Sequence, residues 1–229
     1  MDMLATSEFW IGLLTIIWVN IILSGDNAVV IAMAARALPA RQQKKAVFWG
    51  SGAAVGLRVV LTLVAATLLA LPYLQIVGGL LLLWIGVQLL GDEDEGDSAA
   101  SHHQANLMSA VRTILIADLI MSLDNVIAVA AAAKGNTVLL ILGLAISIPL
   151  VIFGSTLMIS LMARFPIIVT FGAALIGWVG GETIASDAVL QDLMVGRGWV
   201  HYAAAACGAA IVIVLGKAIQ ARALSKQAG

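Results

Sequence analysis

Seven stretches of predominantly apolar residues, at about 9–35, 46–71, 73–91, 106–133, 137–162, 166–187 and 200–221, take up nearly all of a 229-residue chain. A helix needs ~20 mostly apolar residues to cross the hydrocarbon core of a bilayer, and the stretches reach that scale. Their length and uniform hydrophobicity predict helices, because barrel strands would be short and would alternate. The expected fold is therefore all-α, a polytopic transmembrane helix bundle. Only 11% of the residues are charged, far too few to cover an ordinary soluble domain. The tightest breaks fall at Leu71-Pro72 and Phe165-Pro166, where proline can end one helix or open the next. Cys207 is the single cysteine, which excludes a disulfide framework or a thiolate cluster within one chain. Met1 to Glu8 carries Asp2 and Glu8 and no basic residue, unlike a cleavable signal peptide. The first span is expected to remain in the mature protein.

Basic residues set the orientation. Arg36, Arg41, Lys44, Lys45, Arg112, Arg164, Lys217, Arg222 and Lys226 all fall on one side if the spans alternate, against Lys134 and Arg197 on the other. The positive-inside rule places the N-terminus outside and the C-terminus in the cytoplasm, in the plasma (inner) membrane.

A repeat runs through the chain. Asn20-x3-Ser24-x-Asp26-Asn27 matches Asp118-x3-Ser122-x-Asp124-Asn125 at an offset of 98. Pro72, Gly78, Trp84 and Gly86 match Pro166, Gly172, Trp178 and Gly180 at an offset of 94. Each unit holds three spans, an odd number, so the second copy is expected upside down relative to the first. Inverted repeats of this kind place a transport site at their interface near the midplane. The expected organisation is a first three-helix repeat over 1–91, an acidic cytoplasmic linker over 92–105, a second repeat over 106–187, and a seventh span with its tail over 188–229.

Asp26, Asp118 and Asp124 lie deep within spans, where a carboxylate costs roughly 2.5–3.5 kcal/mol on insertion scales. The alternatives are a functional site, a structural ion pair or a protonated core group. Asn20, Ser24, Asn27, Ser122 and Asn125 add neutral oxygens. Oxygen donors without thiolate or imidazole suit magnesium, calcium or manganese better than copper or zinc. A thioether from Met121 would favour a softer ion; the plainer reading of Met121 is packing. At ~100° per residue, positions 118, 122 and 125 form one stripe and Asp124 falls ~120° from it. The same holds for Asn20, Ser24 and Asn27 against Asp26. Either the helix breaks at Ser-x-Asp-Asn, with Gly25 favouring distortion, or the aspartate faces another neighbour.

Arg58 is the single basic residue deep in a span, a counter-ion for the carboxylates or a snorkelling side chain. The formal sum of Asp26, Asp118, Asp124 and Arg58 is -2, which a divalent cation would balance. Glu182 is a further candidate ligand or proton-handling group, with an interfacial position as its alternative. The run Asp92 to Asp97, followed by His102 and His103, reads as a solvated linker, with a loop that weakly collects or senses cations as its alternative.

Ser24-Gly25-Asp26-Asn27-Ala28-Val29 and Asp118-x3-Ser122-Leu123-Asp124-Asn125-Val126 resemble the TerC family of integral membrane proteins, within the broader LysE-type exporter group. The resemblance covers essentially the whole chain, in the short form without added soluble domains. It implies manganese as the transported ion, whereas the residues themselves indicate a hard divalent cation. The expected function is secondary export of that ion, with Mn2+ as cargo and no catalytic cofactor. Proton exchange fits the lack of a nucleotide-binding loop. Export of an amino acid, and a scaffold that hands metal to other proteins, stand as alternatives. No enzyme activity is expected. Expected partners are the lipid bilayer and the metal, with no nucleic acid; a homo-oligomer or exported metalloenzymes remain open. Asn20 stands where the second copy has Asp118, so Asp118→Asn is expected to be milder than Asp26→Asn or Asp124→Asn.

Overall fold

A computed structural model describes residues 7–69, 71–91, 107–133, 136–190 and 197–227. The acidic linker, His102, His103 and Lys134 lie outside the described residues. Eight helices of twelve residues or more make up nearly all of the rest: α1 (Ser7–Leu23), α2 (Gly25–Arg36), α3 (Ala40–Leu69), α4 (Leu74–Gly91), α5 (Leu107–Ala133), α6 (Thr137–Arg164), α7 (Ile167–Ala185) and α8 (Trp199–Gln227). No strand occurs among the described residues. The expected first span is two helices: α1 and α2 meet at Ser24 with a 49° bend.

The α4, α6, α7 and α8 helices are long and apolar enough to cross a bilayer, and α1 with α2 makes a fifth such unit if joined. The α3 and α5 helices, at 30 and 27 residues, are also longer than the ~20 residues a crossing needs. Large apolar side chains face outward along the bundle, among them Trp18, Trp49, Trp84, Phe153, Phe171 and Trp199. In water such a surface would drive aggregation; against lipid it is the expected solvent-facing side.

Helix ends follow local chemistry. The Asn136 side chain accepts from the Leu139 backbone N–H and caps α6, satisfying one of the donors that a helix start leaves orphaned. Pro166 separates α6 from α7. The start of α4 is capped from another element. The Asp187 carboxylate, just past the end of α7, accepts from the backbone N–H groups of Tyr73 (3.1 Å), Gln75 (3.1 Å) and Ile76 (3.2 Å), and from Val189 (3.0 Å). Tyr73 itself is held at a φ of 66°, in the left-handed region that non-glycine residues seldom adopt.

Four helix pairings build the bundle. Gly12 faces Leu139, Gly143 faces Ile16, and Gly154 faces Ala28, so α1 and α2 together run parallel to α6. Gly50 faces Ile114 and Arg58 bonds Ser122, so α3 runs parallel to α5. The α4 and α7 helices are antiparallel, since the start of α4 meets Asp187 and a Cβ on Gly79 would clash with the Gly180 carbonyl oxygen. Gly177 meets Gly208 with the same backbone closeness and brings α8 against α7. Small residues allow backbones to approach where lipid supplies no hydrophobic drive between helices.

Four apolar clusters result, the smallest around Leu61 of α3 and Val126 of α5. One joins α2, α4, α5, α7 and α8 through residues such as Met33, Leu82, Ile120, Ile176 and Val212; Met121 belongs to it, so its thioether packs in the core. A second joins α1, α5 and α6 around Ile16, Val129 and Leu144. A third joins α2, α3 and α5 around Ile31, Val47 and Ile114. The second and third lie towards opposite ends of the bundle, and a polar layer is held between them.

Candidate functional site

Arg58 organises that layer. Its side chain is buried, with 3% of the residue exposed, so it does not snorkel to an interface. From α3 it donates through Nη2 to Asp118 Oδ1 on α5 (2.6 Å), through Nε to Ser122 Oγ on α5 (3.0 Å), and through Nη1 to Asn20 Oδ1 on α1 (2.9 Å) and Ser24 Oγ at the break (3.4 Å). Ser122 donates in turn to Asp118 Oδ2 (3.2 Å), and Ser24 donates to Asn20 Oδ1 (3.3 Å). The guanidinium fork thus draws oxygens from both copies of the motif onto one cation. A fixed planar donor array suits such multi-point recognition better than the point charge of lysine.

The i, i+4 spacing of 20 with 24 and of 118 with 122 puts each pair on one helix face, which is why one side chain can reach all four. Asn20 also donates to Ser147 Oγ on α6, and Ser147 donates to the Leu144 carbonyl (2.6 Å). Ser147 was not among the sequence candidates. Its signal was a hydroxyl inside an apolar run, two residues before Pro149.

The two copies differ in backbone. The first is broken: Ser24 sits outside helical geometry at φ -108°, ψ 1°. The second is continuous, with α5 running unbroken through Ser122, Asp124 and Asn125. The break exposes the Leu23 carbonyl, and Asn125 Nδ2 of the second copy donates to it (3.3 Å). Asn27 Nδ2 reaches the same oxygen (3.5 Å). Asp26, in the first turn of α2, accepts from the Asn27 N–H (2.8 Å), and it lies within electrostatic range of Arg58 and Asp118.

The other candidates are placed as follows. The Asp124 side chain lies outside the described residues, although its backbone belongs to α5. Glu182 is exposed on α7, and none of the Arg58 layer's hydrogen bonds extends to that helix; the structure does not bring it to the other candidates. Among the described residues no group of three or more His, Cys, Asp or Glu is arranged to hold a metal. Asp118 forms a buried ion pair, so its burial has a structural explanation of its own. The free oxygens are elsewhere: Asn27 Oδ1 and Ser51 Oγ are buried without a hydrogen-bond partner. A small cavity of ≈ 10 Å³ lies beside them, about the room of one water molecule.

An apolar-faced helical bundle with a buried, multiply bonded ion pair defines a polytopic integral membrane protein. The chain belongs to the family described as Integral membrane protein TerC family, which residues 5–224 match. It is similar to the membrane protein YjbE of Bacillus subtilis (strain 168), 43% identical over 194 residues, covering 85% of this chain and 88% of that one. It is also similar to the membrane protein YkoY of the same organism, 25% identical, covering 85% of this chain and 66% of the other. The inner membrane protein YgdQ of Escherichia coli (strain K12) is 21% identical over 210 residues, 85% of this chain and 87% of the relative. No solved structure matches.

Proposed function

We propose that this protein is a secondary exporter of a divalent metal ion, with manganese as cargo, working from the layer around Arg58. The observation that carries the reading is that buried arginine, bonded at once to Asn20, Ser24, Asp118 and Ser122. Without cargo, a tethered cation holds together hard oxygen donors of the class that manganese uses. An arriving ion competes with the guanidinium for Asp118 and adds the carboxylates of Asp26 and Asp124. A proton taken up by a released carboxylate would return the layer to its resting charge, which is how exchange with protons would operate.

The pairing of helices supports two inverted three-span units and seven spans in all. Exchanging the units turns the pairing of span one with span five into that of span four with span two; these are α1–α2 with α6, and α5 with α3. Span three paired with span six, α4 with α7, maps onto itself. In the proposed orientation the start of α3 and the ends of α2, α6 and α8 are cytoplasmic, and residues 92–105 join the units there.

Two observations weigh against an amino acid as cargo. The Arg58 donors that a substrate carboxylate would need are engaged, and the adjoining cavity is water-sized. A scaffold that hands over metal would bind it without moving it across a membrane. The test is manganese flux in liposomes containing only this protein, with Asp26→Asn and Asp124→Asn as variants. Each removes one full charge in a low-dielectric site, a loss of several kcal/mol of attraction even after screening. Flux is expected to vanish in both while the folded protein survives. Near-normal flux in both would refute the assignment.

A further inference from the structure

We infer that the cavity beside Ser51 is a loading position for the ion, on the cytoplasmic side of Arg58; the inference rests on the transport reading above. Arg58, Asp118 and Ser147 form its inner wall, and Asn27 and Ser51 lie further along it. Ser51 is seven residues before Arg58 on α3, ~10 Å along the helix axis at ~1.5 Å per residue. Ile31 and Val151, which also line the cavity, are displaced from the arginine layer towards the ends of α2 and α6. On all three helices this is the end where Arg36, Arg41 and Arg164 gather. The cavity therefore lies between the cytoplasmic end of the bundle and the ion-paired layer, and not beyond that layer.

The lining shows what it would take. Asn27 Oδ1 and Ser51 Oγ are buried at 3% and 1% residue exposure, and neither has a hydrogen-bond partner. Buried polar atoms are nearly always paired, and leaving one unmade costs ~1–3 kcal/mol. These two oxygens come from different helices and adjoin a space that holds about one water. They can replace two waters of a hydrated hard cation without presenting charge. The space admits the ion only once most of its waters are shed, and with no charge on either oxygen the binding is weak enough to release it onwards. The next oxygens are those of Asp118, which the ion reaches by displacing Arg58.

The test uses Ser51→Cys and Ser51→Ala, both with Cys207→Ala so that no other thiol is present. A thiolate is a soft ligand that favours cadmium. In the purified full-length protein, cadmium should raise the melting temperature of Ser51→Cys at concentrations about tenfold or more below those needed for Ser51→Ala. Manganese should slow labelling of that cysteine by a small cationic thiol reagent. If Ser51→Cys does not fold, Val151→Cys places the thiol on the opposite wall, with the same expectation. Equal cadmium response in the cysteine and alanine variants, or labelling that manganese leaves unchanged, overturns the loading position and assigns the cavity to a resident water. If the parent protein moves manganese and Asp26→Asn does not, while the Ser51 variants give either of those negative results, the loading position alone is overturned and the transport reading stands. If the parent moves no manganese, the transport reading falls and the loading position with it.

Discussion

At the scale of single residues, Asp118 bears on stability as well as on transport. The matching place in the first copy holds Asn20, from which Asp118→Asn is expected to disturb transport less than Asp26→Asn or Asp124→Asn. The two positions are not equivalent in charge, because Asp118 takes the 2.6 Å ion pair with Arg58 whereas Asn20 accepts a neutral-side hydrogen bond from it. Removing one partner of a buried pair leaves an uncompensated charge and costs ~3–5 kcal/mol, whereas replacing both partners by neutral groups of similar size can be close to neutral. Asp118→Asn and Arg58→Met should each lower the melting temperature sharply, and the double variant should recover most of the loss. Additive losses in that double-mutant cycle would mean that the pair is not coupled. Removing the tethered cation should also let manganese protect Arg58→Met from heat at lower concentrations than it protects the parent. Unchanged or weaker protection would argue against competition between arginine and ion.

At the scale of elements, the contrast is between a broken α1–α2 and an unbroken α5 built from nearly the same motif. Of the two options for a Ser-x-Asp-Asn segment, the first copy takes the break, and the second stays helical through the same residues. Gly25 follows Ser24 in the first copy, while Leu123 holds the matching place in the second; glycine lowers the cost of leaving helical geometry and leucine raises it. The helices themselves were legible because twenty-residue apolar runs leave a chain few alternatives, and their boundaries agree with the described elements to within a few residues except where a polar turn extends them. The oxygens around Arg58 were legible as residues but not as a set. Which carboxylate the arginine takes depends on α3 lying parallel to α5, and hydropathy carries no information on neighbours. Asp187 was missed for the same reason: it caps a helix over a hundred residues away in the chain. Burial pushes the Asp187 carboxyl up, but the N–H groups of Val189, Ile76, Tyr73 and Gln75 together outweigh it and hold the group below the usual carboxylate range. Its stabilising contribution is therefore complete above the unfolded carboxylate value of ~3.9 and is lost as pH falls through the lower folded value. Asp187→Ala should cost ~0.5–2 kcal/mol at neutral pH, as other lost caps do. The gap between parent and variant melting temperatures should narrow on acidification below about pH 4. A gap that stays constant to lower pH would remove the carboxylate from this role.

At the scale of the whole molecule, orientation is the property most open to direct measurement. Gln42 and Gly198 are exposed at opposite ends of the bundle. With Cys207→Ala as background, cysteines at Gln42 and Gly198 should label from opposite faces of sealed membranes, the latter from outside. Labelling from one face would remove the odd span count and with it the inverted arrangement.

The glycine contacts of α4, α7 and α8 carry a mechanical consequence. Where backbone touches backbone at Gly79 with Gly180 and at Gly177 with Gly208, the contact itself has no side chain between the helices that could change rotamer and absorb a sliding motion. In the proposed exporter these three helices would form the stator. Any stroke that carries an ion past Arg58 must then be made by the remaining helices moving against that block, with the apolar seam of Met33, Leu82 and Ile120 as the bearing surface. A covalent tether between α7 and α8 should leave flux intact, whereas one between α2 and α4 should stall it with cargo still bound; the reverse result would put the moving part on the other side of the seam.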